Sequence, residues 1–217
     1  MSGNDTLTTS ARARWERLLE ELDGDELVTA AARLAEELLG DLHPRWEHTR
    51  AVAARAVAGT PAVPAQERAT LVAAAWLHDI GYAAPLRRCG FHPVDGGDHL
   101  RRQSWPPLVA SLVAHHSGAR FVAEVRGLGH LLAPHDDPRA VEGPLADALT
   151  WADQTVSATG EVVDVEERLA DVLRRHGPDS PNARAHHRRG PYVRGAVRRT
   201  EERLHRVRTG HVPGPRD

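Results

Sequence analysis

Apolar residues recur along this chain at the three-to-four-residue spacing of helices, punctuated by glycine, proline and short polar residues. Ser10 can cap a first helix over residues 10–22, with Trp15, Leu18, Leu19 and Leu22 on one face. Asp23-Gly24 breaks it. Asp25 caps a second helix with the stripe Leu27, Ala31, Leu34, Ala35 and Leu38, ended by Gly40. Pro44 suits the first turn of a third, over 44–59, which carries Ala51, Val52, Ala56 and Val57 and has His48 near its start. A fourth runs from Pro64 through Leu71, Val72, Ala75 and Trp76 to His78-Asp79, and Gly81 terminates it. A loop over 83–90 leads to a short helix opened by Pro93. Pro106-Pro107 then begins an apolar run to His115-His116, stopped by Ser117-Gly118.

Beyond it the pattern predicts a helix over 119–126 and a long polar loop over 127–143. Pro144 opens a helix through Leu145, Ala148, Leu149 and Trp151 to Asp153, and another covers 163–175. Residues 177–191, with Gly177, Pro178, Pro181, Gly190 and Pro191, read as irregular. A last basic helix follows over 193–208, with a disordered end. The predicted fold class is all-α, a compact single-domain helical bundle. It divides into an N-terminal helix (1–24), a main domain (25–176) and a basic C-terminal helix with a flexible tail (177–217).

Composition sharpens this picture. Hydrophobic residues make up 41% of 217, enough for one core, while aromatics at 4% favour close helix approaches through alanine. No apolar run approaches the roughly 20 residues of a membrane span, so no membrane partner is expected. The polar N-terminus has no signal-peptide core, and Cys89 is the sole cysteine. A cytoplasmic location is the expectation, and a cysteine-based zinc cluster is excluded. The chain has no lysine, which removes any Schiff-base nucleophile. From Arg174 onward twelve arginines face four acids, but without interleaved aromatics. This reads as a solvated helix and flexible end, and nucleic acid is not the expected partner.

The candidate chemistry lies in histidine and aspartate. With 14 His and 15 Asp, chance alone supplies about one His-Asp pair, and the chain has two. His135-Asp136 sits between prolines in the polar loop, and His186-His187 sits among arginines, so both read as solvated. His78-Asp79 and His115-His116 differ, because each follows an apolar helical run and precedes a glycine. Burying His and Asp without a partner costs several kcal/mol, roughly. One partner for His78 is a backbone carbonyl, in an ordinary core. The other is a metal ion, with His48, His92 and Asp153 as further ligands of suitable type.

In that order, His48, His78-Asp79 and Asp153 resemble the HD superfamily of metal-dependent phosphohydrolases. The likeness covers residues 44–156. His92-Pro93-Val94-Asp95 and His115-His116-Ser117-Gly118 are similar to branches with two extra histidines and a dinuclear centre, among them HD-GYP proteins and symmetrical dinucleoside-tetraphosphatases. The Gly-Tyr-Pro signature is missing after His116, and no acidic pair follows Asp79, so neither cyclic dinucleotides nor (p)ppGpp are the expected substrates.

The resemblance implies one metal held by His48, His78, Asp79 and Asp153. Asp79 bridges to a second ion held by His92 and His116, with His115 either a ligand or a donor behind one. The cofactor is then one or two divalent ions: Mn, Fe, Co, Ni, Zn or Mg. The implied activity is hydrolysis of a phosphoester or phosphoanhydride in a nucleotide or other small phosphorylated metabolite, through a hydroxide held by the metal. Asp79 and His115 are the implied catalytic groups, with His115 protonating the leaving oxygen if it is not a ligand. Arg50, Arg120 and Arg126 are candidate phosphate clamps, though each also reads as plain surface charge. Two rivals share these residues. One is a mixed-valent di-iron oxygenase of the same domain type, and the other is a non-catalytic HD binding module.

Overall fold

A computed structural model describes residues 25–210. The helix expected over 10–22 and the tail past 210 lie outside the described residues. Within them the fold is all-α: α1 (Glu26–Leu39), α2 (Arg45–Gly59), α3 (Arg68–Leu77), α4 (His92–Arg102), α5 (Pro107–His115), α6 (Ala119–Val125), α7 (Pro138–Val141), α8 (Pro144–Gln154), α9 (Val165–His176) and α10 (Pro181–Thr209). Short 3-10 turns join several of them, including Ile80–Tyr82, His116–Gly118 and Gly129–His135.

Local chemistry sets the helix ends. The Asp25 carboxylate accepts the Leu27 and Val28 N–H groups and starts α1. Pro107 and Pro144 stand in the first turns of α5 and α8, where a missing N–H costs nothing. Every residue of α8 from Leu145 to Gln154 is buried, as suits a helix at the centre of a bundle. Leu71 to Ala75 of α3 are likewise buried. The small Ala73, Ala74 and Ala75 let neighbouring backbones come close. One core cluster joins α2, α3 and α8 through Val52, Leu71, Leu149 and Trp151. A second joins α1, α3, α4 and α5 through Leu39, Leu77, Leu100 and Val113. His78-Asp79 leaves α3 where both clusters meet its C-terminal end.

Two segments differ from the sequence expectation. Residues 181–191 are not irregular, because α10 starts at Pro181 and runs unbroken through Gly190 and Pro191. Ala185, Arg189, Val193, Ala196, Val197 and Thr200 form its buried stripe. That 3.6-residue period outweighs the breaking tendency of one proline. Part of the helix's charge is also spent on a buried partner. Arg199 and Arg203 both bind Asp147, itself 1% exposed, at 2.5 and 2.8 Å. The loop expected over 127–143 contains the Gly129–His135 turn and α7. His135, read as solvated, is fully buried with Nε2 3.0 Å from Asp98.

Gly81 has a different reason from the expected helix stop, since α3 has already ended at Leu77. A Cβ at Gly81 would lie 2.0 Å from the His92 carbonyl oxygen and 2.8 Å from the Gly96 nitrogen. The backbone after Asp79 therefore touches the first turn of α4, and this contact sets where His92 stands relative to Asp79.

Gly81→Ala must push these backbones apart. It is expected to destabilise the protein by roughly 3 kcal/mol in urea unfolding, against almost nothing for Gly129→Ala, where a Cβ meets open space. Asp147→Ala is expected to cost on the order of 1–2 kcal/mol, because its arginine partners keep partial access to water. A thermal melt reads this as a fall of several degrees.

Candidate metal centre

His48, from the first half of α2, and His78, which caps α3, meet Asp153 near the end of α8. One ligand atom from each lies within 4.8 Å of the others. Asp79, His92 at the start of α4 and His116 after α5 form a second group of the same compactness. The helix ends matter here. Adjacent residues inside a helix diverge by about 100°. His78 keeps helical angles while Asp79 leaves them (φ −107°, ψ 5°), so the two side chains can serve one centre.

Asp79 joins the two groups. Its Oδ2 is 3.4 Å from His78 Nε2 and 3.9 Å from His48 Nε2, while its Oδ1 is 3.3 Å from His92 Nε2. His92 Nε2 lies 3.3 Å from His116 Nε2. Each carboxylate oxygen of Asp79 thus faces a different group.

Three of the imidazoles are locked from behind. His48 Nδ1 donates to the Ser157 carbonyl (2.8 Å), His78 Nδ1 to that of Ala75 (2.7 Å) and His116 Nδ1 to that of Val113 (2.7 Å). A carbonyl only accepts, so each Nδ1 carries a proton and each neutral ring turns an Nε2 lone pair inward. Those lone pairs meet two carboxylates. His48 Nε2 stands 3.1 Å from Asp153 Oδ1, and the buried His78 Nε2 has no hydrogen-bond partner among the described residues. Lone pair against carboxylate is repulsive unless a cation lies between them or the ring takes up a second proton. The donor set, imidazole and carboxylate without sulfur, fits a divalent ion.

The electrostatics agree. Burial alone would raise the Asp79 carboxyl, but His78, Arg45 and His92 hold it well below the usual carboxylate range. Asp153 is likewise held low against its burial, by His48 and His78. Burial and the neighbouring cations push His92 and His116 down, toward the neutral form that binds metal. His78 is raised despite its burial, because Asp79 and Asp153 call for positive charge beside it.

Asp153 Oδ2 is turned away from the histidines. It accepts the Ser117 hydroxyl and, at 2.7 Å, the Gln154 amide. Ser117 holds a left-handed backbone (φ 51°), a strained state of about 1 kcal/mol that places this hydroxyl. Arg189 fixes the Gln154 amide from α10, donating to Gln154 Oε1 (3.2 Å) and to the Ser117 carbonyl (2.8 Å). Arg45 Nη1 donates to Asp79 Oδ2 at 2.6 Å and stacks over Tyr82, which stacks on His92.

The centre opens on a cleft of about 710 Å³. Six of the predicted residues come together at it: His48, His78, Asp79, His92, His116 and Asp153. Arg126 lines the cleft and donates to the Gly90 carbonyl at 2.9 Å. Other predicted residues stand apart. His115 is buried but joins neither group and does not line the cleft, and both its ring nitrogens lack hydrogen-bond partners among the described residues. Burial holds it in the neutral form, with its pKa pushed down to about 4. Arg50 pairs with Glu47 beside a separate groove, and Arg120 with Glu142. Sequence reasoning missed Arg45, Ser117 as an Asp153 donor, Gln154, Arg168 and Arg189. Ser117 and Gln154 adjoin predicted ligands, which was the available cue. The arginines carried none, since arginine is this chain's only fixed cation.

The protein is an all-α domain with two His/Asp groups that could hold metal ions. The HD domain family model matches residues 45–207, three-quarters of the chain, and the protein belongs to the HD-domain family. No curated protein and no solved structure matches it. Among the described residues no helix is long and apolar enough to cross a membrane.

Ser117→Ala removes one of the two groups that orient Asp153. It is expected to weaken divalent-metal affinity about ten-fold in calorimetric titration while the circular dichroism stays helical. Unchanged affinity would mean that Ser117 does not position the ligand.

Proposed function

We propose that this protein is a metal-dependent phosphohydrolase acting on a small phosphorylated metabolite. The observation that carries the reading is the division of Asp79 between two His/Asp groups at the base of an arginine-lined cleft. Membership of the HD-domain family supports it.

His48, His78, Asp79 and Asp153 would hold one ion, with His92, His116 and Asp79 the residues for a second. Divalent ions bound there activate water near neutral pH and neutralise phosphoryl oxygens. The remaining work falls to the protein's own side chains. The locked Nδ1–H bonds keep the ligands in place, so little reorganisation accompanies the reaction. Arg126 and Arg168 present guanidinium groups to the cleft, where they can grip phosphoryl oxygens in pairs. Tyr82 and Phe91 give one wall an aromatic surface against which the organic part of a metabolite can pack. His115 does not line the cleft, and the arginines that do can stabilise the charge of the leaving group.

The test is phosphate release from a panel of nucleoside mono-, di- and triphosphates, dinucleoside polyphosphates and sugar phosphates, with Mn, Fe, Co, Ni, Zn or Mg supplied in turn. At least one combination is expected to turn over, equally well with oxygen removed. Asp79→Ala is expected to lower that rate by at least a hundred-fold with the helical fold retained. Full activity in Asp79→Ala would refute the assignment, and strict dependence on oxygen would point to oxidative chemistry instead.

A further inference from the structure

The cleft holds more positive charge than the metal ligands explain. Arg45, Arg87, Arg126, Arg168, Arg175 and Arg189 line it, against three aspartates. Arg45 is taken up by Asp79, and Asp95 is taken up by the Arg88 and Cys89 N–H groups. Two of the remaining arginines are buried. Arg189 is 8% exposed and pairs with no carboxylate among the described residues; the acceptors it meets are the neutral Ser117 carbonyl and Gln154 amide. Arg168 is 5% exposed, and its Nε has no hydrogen-bond partner among the described residues. It stands 3.5 Å from Asp171, which Arg175 also binds at 2.8 Å, and 3.8 Å from Asp153.

A buried guanidinium without a counter-charge costs several kcal/mol, roughly. Arg189 is in that position, while Arg168 has only the Asp171 oxygen it shares with Arg175 and the more distant Asp153. The N-terminal end of α10 adds to the same wall, where Pro181 and Asn182 line the cleft at the positive end of a 29-residue helix. Arg168 fixes the scale, because Nη2 lies 3.8 Å from the same Asp153 oxygen that faces His48. An anion on this wall therefore sits immediately beside the His/Asp centre.

We propose that Arg168, Arg189 and the α10 N-terminus form a second phosphate subsite, and that the substrate is a phosphoanhydride. This rests on the phosphohydrolase reading and narrows it. One phosphate lies at the His/Asp centre, and its directly linked neighbour lies on the arginine wall. Water adds to the first phosphorus and the bridging P–O bond breaks. The second phosphate leaves with the bridging oxygen, and the proton lost from water passes to solvent. Phosphomonoesters fill only the first position and bind poorly.

Calorimetric titration of the full chain with imidodiphosphate, a pyrophosphate analogue with a nitrogen bridge, and with orthophosphate tests this. Both are run with Mn2+ and again with chelator. The wild type is expected to prefer imidodiphosphate at least ten-fold under both conditions, and Arg168→Gln and Arg189→Gln each to lose that preference. Arg120→Gln, outside the cleft, controls for overall charge and is expected to keep it. If Arg189→Gln unfolds, Arg168→Gln decides the matter. A preference that survives these substitutions, or that exists only with Mn2+, overturns the subsite. Loss of Mn2+ binding with the preference intact would instead overturn the metal reading and leave the subsite standing.

Discussion

The structure depends on one electrostatic constraint. Two buried carboxylates, Asp79 and Asp153, face imidazole nitrogens whose protons are committed elsewhere. Each Nδ1–H is held by a backbone carbonyl, so the inward Nε2 atoms of neutral rings offer lone pairs. Negative charge and lone pairs cannot be packed together in a low-dielectric interior without a cation among them. The raised His78 states the same demand in terms of protons. A divalent ion meets it more fully, since it satisfies several donors at once.

The bundle is arranged around that demand. The carbonyls that lock His78 and His116 belong to the last turns of α3 and α5, which are free because the helices end there. Gly81 lets the chain after Asp79 touch α4 and bring His92 within reach. On the far side of Asp153, Arg189 orients Gln154, and Ser117 accepts a strained backbone to place its hydroxyl. α10 reaches the site because its buried stripe holds it along α8, with Asp147 gripping Arg199 and Arg203. A helix read as a solvated appendage therefore supplies both a support for the groups that hold Asp153 and part of the cleft wall.

Much of this was legible in the sequence, for identifiable reasons. The helices announced themselves through period and caps, and all six His/Asp positions that converge stood at helix ends or on an apolar helix. Where one residue type carried conflicting signals, reading failed. Pro191 and Gly190 concealed a stripe that tertiary packing makes helical. Prolines around His135 suggested solvent, yet the turn buries it on Asp98. Arginines were hardest, because their roles depend on partners far along the chain. Arg189 meets Ser117 across 72 residues, and nothing local distinguishes it from Arg188, which pairs with Glu124 at the surface.

The central claim is that His48, His78 and His116 keep Nδ1 protonated and give Nε2, with that of His92, to a metal. Long-range 1H–15N correlation spectra of the histidine rings, recorded during a Zn2+ titration, test it most directly. Nδ1–H tautomers are expected for His48, His78 and His116 in the zinc-bound protein. Nε2 shifts are also expected at those three and at His92, with His115 and His135 unmoved. Zinc shifts confined to exposed histidines such as His187, or Nε2-protonated rings at the centre, would contradict the claim.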